Sequence, residues 1–344
     1  MIDIGDIKKV EFGITSLCNA GCPLCQRHYP GTSRVRQTLE LGSTTYNKFI
    51  QVSRQFGKKI FEIEAIFCGS WGDPIAAPDI YKILKYATKK YKKVHLDTNG
   101  SIRDERFWKK VAKLNNLLIT FSIDGMEDTN QYYRINTDWN TIMRNATTYI
   151  NAGGRAEWKF IKFEHNEHQV DEAKRLAMYL GFERFQTVNS HRFKDDVLHI
   201  EPEAYSKAIN KVGKNGFTLR PTKDLNTKKQ WKNVTDTKQV VSCKTLNEGY
   251  LYVDHNFKLW PCCFFSSGEG TPHFREYWSI IQMAYGSDFN SLHKHKLETI
   301  LNHRYFREYL PNSWTDDNLV SCKQCYKKCG KRGYSHDNKK IKLF

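Results

Sequence analysis

Strand-like and helix-like segments alternate through the first 190 residues of this 344-residue chain, and this alternation restricts its fold more than any other feature. KKVEFGIT (8–15) alternates apolar and polar residues as a half-buried strand does. TTYNKFIQVSRQF (44–56) reads as a helix ending at Gly57. KIFEIEAIF (59–67) reads as a strand with Phe61, Ile63, Ala65 and Phe67 on one face. DIYKILKYATKKY (79–91), entered after Pro78, reads as a helix. KVHLDT (93–98) is a strand stopped by Asn99-Gly100, RDERFWKKVAKLN (103–115) a helix, and NLLITFSI (116–123) a strand closed by Asp124-Gly125. WNTIMRNATTYINA (139–152) is a helix ended by Gly153 and Gly154. AEWKFIKF (156–163) is a strand. HQVDEAKRLAMYLG (168–181) is a helix with Val170, Ala173, Leu176, Ala177 and Leu180 on one side, and FERFQTV (182–188) is a strand. Six strands with helices between them predict a parallel sheet with helical crossovers. A doubly wound sheet and a complete or partial β/α barrel both satisfy this pattern, and both place the active site at the carboxyl ends of the strands.

The unusual loops fall at that end. CNAGCPLC (18–25) follows the first strand, CGSWGDP (68–74) the second, TNG (98–100) the third, SIDG (122–125) closes the fourth, and EHNEH (164–168) follows the fifth. The rhythm then breaks. Residues 191–242 are polar and basic and read as a connection with a helix near 202–213. Residues 243–344 carry six of the ten cysteines among short elements, which suggests a small metal-stapled module. The chain thus divides at the sequence level into 1–190, 191–242 and 243–344.

No apolar run approaches the ~20 residues of a membrane span, and MIDIGDIKKV lacks the apolar core of a signal peptide. These observations predict a cytoplasmic protein with reduced thiols, in which ten cysteines point to metal binding rather than disulfides. The net charge of +17 suits solubility, and equally an anionic substrate, a nucleic acid or an acidic redox partner. It is partly concentrated in 223–244 and 323–342. No RRM or KH signature accompanies it.

Cys18, Cys22 and Cys25 form a C-x3-C-x2-C triplet. Three thiolates can hold three irons of a cubane cluster and leave the fourth without a protein ligand. Alternatively, His28 would complete a four-ligand zinc site. The later cysteines are Cys243, the adjacent Cys262 and Cys263, and Cys322, Cys325 and Cys329. Adjacent residues of an extended chain point to opposite sides, so one of Cys262 and Cys263 joins Cys243 and two tail cysteines in a four-ligand site. Cys68 and Cys263 read as small buried side chains.

The triplet behind the first strand resembles the radical S-adenosylmethionine (SAM) superfamily, over roughly residues 8–190. The resemblance implies an α/β fold, a partial (β/α)6 barrel with a small C-terminal auxiliary-cluster module. It implies a [4Fe–4S] cluster on Cys18, Cys22 and Cys25, with SAM on the open iron. Gly72, Asp73 and Pro74 stand where the family binds the methionyl amine. Thr98 and Asn99 match its ribose contacts, as do Ser122 and Asp124 of FSIDG, and Arg134 of YYR matches a position near the SAM carboxylate. Leu24 stands where an aromatic residue often packs on the adenine.

CKTLNEGYLYVDHNFKLWPC (243–262) and SCKQC (321–325) are similar to the opening and closing of a SPASM or Twitch domain, where a hairpin separates two ligands. This implies one auxiliary [4Fe–4S] cluster on Cys243, Cys262, Cys322 and Cys325, with Cys329 able to replace a tail ligand. Zinc is the alternative for this module. The implied activity is reductive cleavage of SAM to a 5′-deoxyadenosyl radical that abstracts hydrogen from a substrate, with the auxiliary cluster accepting an electron. A reducing partner such as flavodoxin or ferredoxin is implied. Peptide, carbohydrate and nucleotide-like substrates stay open. The alternative reading is a non-catalytic iron–sulfur or zinc protein that binds nucleic acid or a protein partner.

Overall fold

The computed structural model describes residues 2–190, 192–193, 197–205, 215–223, 240–266, 272–330 and 339–343. Six strands stand side by side in chain order: β1 (Lys9–Phe12), β2 (Glu64–Phe67), β3 (Lys93–Thr98), β4 (Leu117–Ser122), β5 (Arg155–Lys162) and β6 (Arg184–Asn189). Every pairing among them is parallel. Between them run α1 (Tyr46–Arg54), α2 (Ile80–Lys90), α3 (Glu105–Val111), the short α4 (Asn130–Tyr133), α5 (Trp139–Asn151) and α6 (Val170–Tyr179). Sequential order with right-handed crossovers puts the helices on one face, which excludes a doubly wound sheet and gives the partial (β/α)6 barrel.

Period-two alternation divides the two faces. Val94 and Leu96, Ile119 and Phe121, and Trp158 and Phe160 are buried in the main apolar core. Their neighbours His95, Asp97, Thr120, Ser122 and Lys159 line a cavity on the other side. The helices answer with apolar stripes such as Ile80, Ile83, Leu84 and Ala87 of α2. Asp104 and Asp138 cap α3 and α5 by accepting from Phe107 N at 2.9 Å and Thr141 N at 2.7 Å.

The strand expected at 59–67 starts late. Gly57 turns with φ +57°, and Gly57–Glu62 winds a 3-10 helix. Ile60 turns inward while Phe61 is 57 % exposed, so Phe61 does not share the face of Ile63, Ala65 and Phe67. Strand pairing begins where Glu64 N reaches Lys8 O at 2.9 Å. Of the helix expected near 202–213, Pro202–Tyr205 forms a 3-10 turn, and 206–214 lie outside the described residues, as do 224–239 and 331–338 of the two basic stretches.

Beyond β6 the chain returns to the same sheet. A two-stranded antiparallel unit, β7 (Leu198–Ile200) with β8 (Phe217–Leu219), stands apart. β9 (Tyr250–Val253) then joins β1 in parallel, β10 (Leu259–Trp260) folds back on it, and β11 (Lys339–Lys342) pairs antiparallel with β6. The result is a nine-stranded sheet. Asp254 fixes the β9–β10 turn, accepting from Asn256 N, Lys258 N and Trp260 Nε1 at 2.9, 3.0 and 2.7 Å. No helix among the described residues is long and apolar enough to cross a membrane.

Phe12 sits where sheet and helices meet, 5.1 Å from the Phe49 ring and 5.7 Å from that of Phe67. It is 1 % exposed. Phe12→Ala is expected to cost about 3–5 kcal/mol in urea unfolding.

Candidate functional site

The carboxyl ends of the strands surround a cavity of about 590 Å³. Cys18, Cys22 and Cys25 all line it. Tight turns shape their loop: Cys25 N donates to Cys22 O and His28 N to Cys25 O, both at 3.0 Å. His28 Nδ1–H donates to Cys22 O at 3.1 Å, and the side chain is buried. Burial, with Arg27 and Arg36 nearby, draws its pKa below the usual value. His28 therefore braces the loop through its backbone, while the cavity receives the three thiols without it.

Burial raises the Cys18 thiol well above its usual pKa and pushes Cys22 up to about 11. Arg134, with Nη1 3.6 Å from Cys22 Sγ, opposes that rise. Burial thus disfavours the thiolate forms of Cys18 and Cys22, and Arg134 is the cation that favours that of Cys22 most.

Gly72 lies under the entry to the cysteine loop. A Cβ there would stand 2.5 Å from Thr15 O and 2.6 Å from Leu17 O, so only glycine fits. Asp73 N donates to Leu17 O at 2.8 Å. Asp73 Oδ2 accepts from Thr98 Oγ1 at 3.0 Å and Asn99 N at 2.7 Å, and Oδ1 accepts from Ile75 N at 3.1 Å. Burial still raises its pKa. Asn99 Nδ2 reaches Asn19 Oδ1 at 3.0 Å and lies 3.8 Å from Cys18 Sγ. Gly72, Asp73, Thr98, Asn99, Ser122 and Arg134 all line the cavity.

Two expected contacts lie behind its wall. Pro74 is buried at the start of a 3-10 turn, Pro74–Ala76. Asp124 is fully buried, accepts from Ile161 N at 2.6 Å, and pairs through Oδ2 with Arg134 Nε at 2.6 Å. Asp124 thus aims Arg134 at the cysteine loop. Asn166 supports it by donating to Asp124 O at 2.9 Å and Ile161 O at 3.0 Å.

Several lining residues escaped sequence analysis. Arg27 is 5 % exposed, donates to Ser16 O at 2.9 Å, and leaves Nε without a partner. His95, Asp97, Thr120, Lys159 and Gln186 come from inside the strands. The alternation of polar residues in HLD, ITFS and EWK was the available signal.

The later cysteines divide. Cys243, Cys262, Cys325 and Cys329 line one apolar pocket with Pro261, Phe265 and Trp314. Cys322 does not line it but hydrogen-bonds Cys325; it is 1 % exposed, just ahead of the helix Lys323–Cys329. Cys263 turns away, receiving the Tyr250 hydroxyl at 3.6 Å and hydrogen-bonding Glu11. Phe264 and Lys328 line both this pocket and the main cavity. Zinc at about 2.3 Å from each sulfur needs ligands gathered on one point. Among the described residues, no three His, Cys, Asp or Glu side chains close on a single ion.

The model of the Radical SAM superfamily matches residues 13–177. A 119-residue segment is 26% identical to the tungsten-containing aldehyde ferredoxin oxidoreductase cofactor-modifying protein of Pyrococcus furiosus, covering 34% of this chain and 31% of that one. A 125-residue segment is 26% identical to the Fe-coproporphyrin III synthase of Methanosarcina barkeri, covering 36% and 29%. The matches therefore span less than a third of the length of either relative. Native anSMEcpe with bound AdoMet shares the fold at TM-score 0.53 and 14% identity, over 94% of this chain and 89% of that chain.

Glu11 gives the site region a pH signature. Burial pushes its pKa from 4.5 to about 7, with Asp97 adding to the rise. The folded chain then binds this proton more tightly than the unfolded one. The associated stability is complete below pH 4.5 and is lost as pH rises through about 7. Unfolding in urea across this window is expected to show a loss of about 3 kcal/mol from this group, absent in Glu11→Gln.

Proposed function

We propose, from the membership of residues 13–177 in the radical SAM superfamily, that the chain is a radical SAM enzyme with its [4Fe–4S] cluster on Cys18, Cys22 and Cys25. The observation that carries this reading is the convergence of three thiols, the Gly72–Asp73 turn and Arg134 on one cavity. Cluster and SAM together would supply a 5′-deoxyadenosyl radical, which takes a hydrogen atom from the substrate.

The chain's own residues bind, orient and shield. Gly72 offers backbone without a side chain, and Asp73 a buried carboxylate for the methionyl amine. Arg134, fixed by Asp124, offers a cation for the SAM carboxylate. Ser122, Thr98 and Asn99 offer polar groups to the ribose, and Leu24 an apolar contact to the adenine. Arg27, with an unsatisfied buried Nε, adds positive charge beside an anionic cluster.

An auxiliary [4Fe–4S] cluster is part of the reading. The shared pocket favours Cys243, Cys262 and Cys325 as its ligands, with either Cys322, hydrogen-bonded to Cys325, or Cys329, which lines the same pocket, as the fourth. Phe264 and Lys328, common to both cavities, make this centre a neighbour of the substrate space, which suits electron removal from a substrate radical. The net charge of +17 suits an acidic one-electron donor such as flavodoxin or ferredoxin, and an anionic substrate.

Anaerobic reconstitution should load about eight irons per chain, as two four-iron clusters, and dithionite should release 5′-deoxyadenosine from SAM. Cys22→Ala should abolish that release. Cys262→Ala should lower the load to about four irons, and of Cys322→Ala and Cys329→Ala the one that does the same identifies the fourth ligand. A chain that takes up only zinc and never cleaves SAM contradicts the proposal.

A further inference from the structure

The barrel interior carries charge that SAM binding does not use. Lys159 Nζ lies 2.6 Å from Asp97 Oδ2, and His95 Nε2 lies 3.1 Å from Asp97 Oδ1 and 2.7 Å from Thr120 Oγ1. Gln186 faces the same space. These groups come from β3, β4, β5 and β6, and all line the main cavity. Asp97 lies one residue before the end of β3, Thr120 two before the end of β4 and Lys159 three before the end of β5, so the layer sits about 3–10 Å below the strand ends. Lys159 draws the Asp97 carboxyl far below its usual pKa against the effect of burial, and Asp97 raises that of Lys159. Both therefore stay charged. Partners of this kind add little stability inside a protein, so their place in a cavity floor asks for a ligand.

The pair selects among ligand groups by charge and direction. A free anion meets Asp97, and a cation meets Lys159. An apolar group would strip solvent from both ions and give nothing back. A trans peptide amide turns its N–H and C=O in opposite directions and satisfies only one of them. A hydroxyl donates to Asp97 and accepts from Lys159 together, and leaves the charges balanced. His95, Thr120 and Gln186 stand ready for neighbouring hydroxyls. At the mouth the cations change the preference. Arg192, held by Leu24 O at 3.2 Å, and Lys328, over the Phe264 ring at 5.1 Å, both line the cavity.

We infer that Asp97 and Lys159 form the substrate-anchoring floor of the cavity, and that the substrate is a small polyhydroxylated molecule with an anionic group. Its hydroxyls bind the floor and its anion lies near Arg192 and Lys328. A hydroxyl held by Asp97 and Lys159 fixes the adjoining C–H beneath the residues assigned to SAM. This inference rests on the radical SAM reading.

The test supplies the reconstituted chain with SAM, dithionite and one uniformly deuterated probe at a time. The probes are hexose 6-phosphates, pentose 5-phosphates and nucleoside 5′-monophosphates, each beside its unphosphorylated form. The readout is the ratio of deuterated to unlabelled 5′-deoxyadenosine. A phosphorylated probe should transfer deuterium, more than its unphosphorylated form. Asp97→Asn and Lys159→Met should each lower the ratio at least about tenfold. Because both products form in one sample, a misfolded fraction cancels from the ratio. Unlabelled 5′-deoxyadenosine with every probe overturns the substrate class but not the radical SAM reading. An undiminished ratio in both variants overturns the floor. No 5′-deoxyadenosine under any condition overturns the radical SAM reading itself.

Discussion

Asp73 is the group on which the site depends. Its carboxylate receives three hydrogen bonds, two of them from the end of β3 and the residue after it, and its backbone N–H holds Leu17 O just before the cysteine loop. Three strand ends are thereby locked together by one buried residue, through its carboxylate and its backbone N–H. Gly72 lets this happen, because any Cβ would collide with the carbonyls of Thr15 and Leu17. From there the order spreads outward. Asn99 reaches the cysteine loop, and Asp124 on the next strand end holds Arg134 beside Cys22.

The sheet explains how so few contacts suffice. Parallel strands in sequential order deliver every strand-to-helix loop to one end and every helix to one face. The other face is left without a layer to pack on, and its polar residues become the cavity wall. The C-terminal segment then closes the sheet at both edges, through β9 on β1 and β11 on β6. The two cysteine groups become neighbours for this reason, with Phe264 and Lys328 between them.

The apolar half of this design was legible in the sequence. Residues such as Trp158 and Phe160 announce strands through their period, and the cysteine spacing marks the site. The late start of β2 was not legible, because Phe61 fits the alternation while a turn at Gly57 puts it in solvent. Pairings of β9 and β11 join residues far apart in the chain, and no local pattern encodes them. Asp124 sits in a motif-like position, yet its carboxylate is consumed by Arg134 and Ile161 N. Cys325 and Cys329 lie on one face of a single helix, four residues apart, while Cys322 has extended backbone ahead of it. Spacing alone does not separate those three. Asp97 and Lys159 were present in strands read only for their apolar face.

The central claim is that the three-thiol loop leaves an iron open and that SAM takes it. Electron paramagnetic resonance of the dithionite-reduced protein, recorded with and without SAM, tests this most directly. SAM bound to the cluster on Cys18, Cys22 and Cys25 should shift the g-values of that centre and leave the second centre unchanged. A reduced spectrum that saturating SAM does not alter would contradict the account.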